Sequence, residues 1–113
     1  MCSEMDKLGK NIGKVPEIFK KMEKTDPLMH EKILAFDNLV WDDGALTRQQ
    51  KKIIAIAIAA SLRDEHAVYA QIAGAKHLGI KKEEIEEGLR VAFLLAGMPA
   101  YVYGKTKLEE AYK

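Results

Sequence analysis

Apolar residues recur through this chain at the three- and four-residue spacing of an amphipathic helix, and turn-forming residues interrupt them at intervals. A short helix is predicted around residues 4–10, ending near Asn11-Ile12-Gly13. A second begins at Val15-Pro16, where proline suits a first turn, and runs to about Lys24. Thr25-Asp26-Pro27 restarts the chain, with Asp26 as the cap. The third helix places Ile33, Phe36, Leu39 and Val40 on one stripe and stops at Asp43-Gly44. A fourth follows Thr47-x-x-Gln50, the pattern of a capping box. A fifth covers residues 65–78, with Val68, Ile72 and Ala75 at helical spacing, and ends at Gly79. Ile85, Leu89, Ala92, Phe93 and Ala96 mark a sixth, and a last helix runs from Pro99 to near Tyr112.

Residues 53–60 carry an Ile/Ala alternation that would suit a strand. The upstream cap, the alanines and the lack of a partner strand decide for a helix. Because it is apolar all round, this helix is expected to be the buried, central one. Residues 91–96 are also apolar on all sides, which asks for burial against another subunit or in a crowded core. The reading is an all-α single domain of six or seven helices, with N-terminal helices over residues 1–44 and a core over 46–104.

Composition narrows the function classes more than it selects one. The chain has 113 residues, 48% hydrophobic and 31% charged, ordinary for one globular domain. Eighteen basic and seventeen acidic side chains leave a net charge of +1, with no basic stripe to attract nucleic acid. The longest apolar run is far below the ~20 residues that span a bilayer, and the N-terminus lacks a secretory pattern. A cytoplasmic protein is expected, with no membrane and no nucleic-acid partner. The single cysteine, Cys2, excludes an internal disulfide or dithiol cycle. The three histidines and the carboxylates show no metal-ligand spacing, so neither a metal nor another cofactor is expected.

The order of pieces from Leu46 to Gly104 nonetheless resembles a known family. It consists of the capped Ala/Ile helix, the break at Leu62-Arg63-Asp64, the stop at Leu78-Gly79, the acidic start Lys81-Lys82-Glu83-Glu84-Ile85 and the turn Gly97-Met98-Pro99-Ala100-Tyr101. This arrangement resembles the carboxymuconolactone decarboxylase family, which includes the alkylhydroperoxidase D-like thiol peroxidases. The resemblance implies that redox members carry Cys-x-x-Cys-x-x-x-His at a helix start, where the helix N-terminus favours thiolate. It also implies a glutamate on the preceding helix, and a retained histidine in decarboxylase-type members.

The matching positions here are Asp64, Ala67 and Gln71, with Lys52 in place of the glutamate. None can form or resolve a disulfide. These four are the pocket candidates by family position. His66, the histidine nearest that region, is added as a substitute proton carrier, and Tyr101 as a pocket wall beside Tyr103.

Each candidate also has a structural explanation. Asp64 suits an N-cap. Lys52 reads as a solvated lysine at a helix edge, with an ion pair to Asp64 or a bound anion as the sharper possibility. Gln71 suits an internal hydrogen bond, and His66 and His30 suit solvent. His77 stands near a helix C-terminus, where its charge is favourable.

The resemblance further implies a homo-oligomer, a trimer or a hexamer, with a small-molecule pocket. The expected function is a family protein without the dithiol site, its catalysis altered or lost. The alternatives are a peroxidase working through Cys2 and a lactone decarboxylase, so the small ligand is a peroxide or an organic acid.

Overall fold

The computed structural model describes residues 16–113, which form six helices and no strand. These are α1 (Glu17–Thr25), α2 (Pro27–Trp41), α3 (Arg48–Leu62), α4 (Glu65–His77), α5 (Lys82–Ala96) and α6 (Met98–Ala111). The all-α reading holds. The helix expected around residues 4–10 and the thiol of Cys2 lie outside the described residues.

Helix boundaries follow local chemistry. The Asp26 side chain accepts from Met29 N and Pro27 opens α2. At α3, Gln50 N donates to Thr47 Oγ1 at 3.1 Å, while Thr47 N donates to Gln50 Oε1 at 2.8 Å, completing a capping box. Replacing Thr47 by alanine should cost about 1 kcal/mol, read as a shift in the urea midpoint without a change in slope. α3 ends at Arg63, whose φ of 55° is left-handed backbone held by a non-glycine residue. Asp64 then caps α4. Gly97, with φ 93° and followed by Pro99, turns the chain from α5 into α6.

The core lies among α3–α6 and contains Ile56, Ala60, Val68, Ile72, Ile85, Leu89 and Leu108. Small residues set the spacing. A Cβ built on Gly104 of α6 would lie 2.5 Å from Leu89 Cδ2 and 3.1 Å from Ala60 Cβ. α5 and α6 therefore approach through a glycine. α1 and α2 pack mainly on each other, around Phe19 and Leu34 with Met22 and Ile33 at the margin. They form a hairpin beside the four-helix core.

Two packing expectations are corrected and a third is narrowed. On α2 the buried face is His30, Leu34 and Trp41, while Phe36 and Leu39 of the expected stripe are exposed. Both sides of this helix carry apolar residues, so the spacing fits either face; the face with Trp41 is the one that turns inward. α3 is not buried all round, because Ile54, Ile58 and Leu62 are exposed along one side. On α5, Val91, Phe93, Leu94 and Leu95 are exposed and only Ala92 of residues 91–96 is buried. The chain's own core therefore does not cover that stretch.

Candidate functional site

Lys52 is fully buried, contrary to the solvated edge position expected from sequence. It occupies the inward face of α3 with Ile56, Ala59 and Ala60, one or two turns along the same side. Its Nζ donates to Gln71 Oε1 of α4 at 2.8 Å and stands 4.1 Å from the centroid of the Trp41 ring, at the end of α2. Trp41 is held in turn by its indole N–H, which donates to Asp37 Oδ1 at 3.1 Å. Three helices thus converge on one amine.

Burial in this environment disfavours the ammonium and, with repulsion from Arg48, brings Lys52 down to about 8, against an opposing pull from Asp37. Arg48 lies one turn before Lys52 on α3, half-buried. Its guanidinium has no hydrogen-bond or ion-pair partner among the described residues.

The other candidates lie elsewhere. Asp64 is exposed, and its carboxylate accepts from Ala67 N at 3.0 Å as the cap of α4. No ion pair joins it to Lys52 among the described residues. Asp64 and His66 line an open groove of about 600 Å³ with Arg63, Tyr69 and Lys107. A second groove of about 560 Å³ continues past Tyr69 to Lys76 and His77. Neither groove is lined by Lys52, Gln71 or Tyr101. The structure therefore splits the candidates into an inner pair, Lys52 and Gln71, and an outer pair, Asp64 and His66. Ala67 is half-buried against the core.

Tyr101 is half-buried, packed on the core and edge-on to Phe93 at 5.6 Å. The Tyr103 hydroxyl is buried without a hydrogen-bond partner among the described residues. His30, expected in solvent, is buried and stacked on Phe19 with ring centroids 4.5 Å apart. His77 is exposed at the end of α4.

Trp41 and Arg48 escaped sequence reasoning. A signal for them existed: Lys52 interrupts an apolar face, and a buried cation calls for an aromatic or polar neighbour. No spacing links Trp41 to Lys52, because the loop between α2 and α3 sets their approach.

Residues 27–110, three quarters of the chain, match the carboxymuconolactone decarboxylase family. The chain belongs to that family. Among related sequences, the uncharacterized protein MJ0742 of Methanocaldococcus jannaschii is 38% identical over 95 residues, 83% of this chain and 91% of that protein. The uncharacterized protein 4 in the cox locus of Paracoccus denitrificans is 31% identical over 75 residues, 66% of this chain and 68% of its own length.

Solved structures agree in fold. The apo form of lpg0406, a carboxymuconolactone decarboxylase family protein from Legionella pneumophila, superposes with a TM-score of 0.77 at 24% identity. That match covers 96% of this chain and 99% of the other. A carboxymuconolactone decarboxylase-assigned protein from Burkholderia xenovorans LB400 gives 0.79 at 18% identity, covering 96% and 85%. At these identities the likeness carries the fold alone. Within this carboxymuconolactone decarboxylase-family chain, no helix among the described residues is long and apolar enough to cross a membrane.

Proposed function

We propose that this carboxymuconolactone decarboxylase-family protein is a homo-oligomer that binds a small organic acid at Lys52 and has lost the dithiol peroxidase reaction. One observation carries the reading. Lys52 and Gln71, at the positions the resemblance assigns to a glutamate and a histidine, are bonded to each other at 2.8 Å inside the protein. A buried cation with an unpaired guanidinium one turn away favours a carboxylate over a neutral peroxide. Asp64 and Ala67, at the cysteine positions, supply a cap and a methyl group, so neither offers a nucleophilic sulfur.

Assembly is supported by the uncovered apolar side chains of α3 and α5, more than a small monomer commonly leaves in water. A trimer or hexamer in the cytoplasm is the form proposed, and light scattering on the purified protein should give a multiple of the chain mass. A monomeric mass would remove this part of the reading.

The functional test has two arms. Hydroperoxide reduction with a dithiol should be absent in both wild type and Cys2→Ser. Turnover lost only in Cys2→Ser would make that thiol the nucleophile. In the second arm, small carboxylic acids should raise the melting temperature saturably in wild type, and less in Arg48→Gln. A flat response across acids at millimolar concentration would end the small-acid reading.

A further inference from the structure

We infer that Lys52 and Arg48 together form a site for a small keto acid, whose carboxylate pairs with Arg48 while its carbonyl carbon forms an imine with Lys52 Nζ. The inference deepens the small-acid reading and rests on it.

Two features of the geometry converge. Lys52 Nζ is enclosed between the Gln71 amide oxygen at 2.8 Å and the Trp41 face at 4.1 Å, an environment that removes bulk water from the amine. Arg48 projects from the same helix one turn earlier, and its planar fork of donors is without an ion-pair or hydrogen-bond partner among the described residues. A ligand satisfying both groups needs an acid at one end and an electrophilic carbon a short distance away. A short keto acid meets that description.

Burial also brings the Lys52 amine down to about 8, so at pH 7 about one molecule in ten carries it neutral. At the same pH an ordinary lysine is neutral about three thousand times less often than it is charged. The reaction needs no further reagent. The neutral amine adds to the carbonyl carbon, the resulting carbinolamine loses one water, and a C=N bond replaces C=O without change of oxidation state. Access requires the Trp41 ring to move, and Trp41 lies at the end of a hairpin that has little contact with the four-helix core.

The chain has one tryptophan, which makes the test direct. The full-length protein is titrated with acetoacetate, and with acetone as the neutral control, while Trp41 fluorescence is followed. Each mixture is then treated with borohydride, digested and mapped by mass spectrometry. The expected result is a saturable fluorescence change and a reduced adduct on the peptide carrying Lys52, absent in Lys52→Met. Arg48→Gln should weaken acetoacetate binding about tenfold and lower the acetone adduct by much less, since loss of the Arg48 charge also leaves a smaller neutral fraction of the Lys52 amine.

Saturable fluorescence with no adduct overturns the imine and leaves the small-acid site standing. Adducts spread equally over other lysines, and retained in Lys52→Met, also overturn it. No fluorescence or melting response to acetoacetate or to any simple carboxylic acid overturns both readings. Because Arg48→Gln changes a half-buried side chain outside the core, it keeps the test decisive should Lys52→Met fold poorly.

Discussion

Raising the pH from 8 to 10.5 should stabilise the wild-type protein by about 3 kcal/mol relative to Lys52→Met, an effect opposite to ordinary alkaline weakening. The sign follows from proton counting. Lys52 sits near 8 in the folded protein and at 10.5 in the unfolded chain, so between those values the unfolded state holds the extra proton. Stability then rises with pH. Below about pH 8 both states are protonated and the folded state bears the full cost of a buried ammonium. Above 10.5 both are neutral and the cost has gone. A displacement of this size, 1.36 kcal/mol per unit, gives the stated magnitude.

Other groups act above that range with the opposite sign. Lys105 is held above the ordinary lysine value by hydrogen bonds to Glu109 and Glu86, and Lys107 by one to Glu65. Their contribution is present below 10.5 and fades as the pH rises beyond it. The difference between wild type and Lys52→Met isolates Lys52. Urea midpoints at half-unit intervals measure it, and parallel curves for the two proteins would show that the amine is not desolvated.

A second large effect is expected where α5 and α6 meet. Leu89 is fully buried and rests against Gly104, so Leu89→Ala should cost about 3 kcal/mol through lost transfer energy and the cavity left behind. Gly104→Ala should cost about 1–3 kcal/mol by overpacking, because its new Cβ would stand 2.5 Å from Leu89 Cδ2. The two costs should not add. In the double variant the alanine methyl occupies space vacated by leucine, and the total should fall short of the sum by about 1 kcal/mol. Strict additivity in chemical denaturation would mean that the two helices separate to accept the methyl group.

The helical punctuation was legible in the sequence because it is local. Thr47 and Gln50 cap α3, Asp26 and Pro27 open α2, and Gly97 with Pro99 turns into α6, each through contacts within a few residues. The family framework was legible for the same reason, being an ordered set of caps, stops and turns. The inner site was not. Whether Lys52 meets water depends on Trp41 and Gln71, eleven and nineteen positions away, and these distances are decided by how the hairpin lies on the core. α2 misled because apolar side chains occupy both of its faces. Phe36 and Leu39 are as hydrophobic as Leu34 and Trp41, so composition could not say which pair turns inward. The split between Asp64 and Lys52 was likewise a tertiary outcome. Asp64 had a local use as a cap, and that use holds it at the surface.

The roof over Lys52 has a thermodynamic consequence for any ligand that reaches it. Trp41 belongs to the hairpin, whereas Lys52 and Gln71 belong to the core, so a ligand of the kind proposed for Lys52 would bind only molecules in which the Trp41 ring has moved aside. Apparent affinity is then the intrinsic affinity multiplied by the fraction of open molecules. A substitution at the hairpin seam that touches no ligand, by raising that fraction, would tighten binding while lowering stability. Ligand affinity and the looseness of that seam would then be two readings of the same equilibrium.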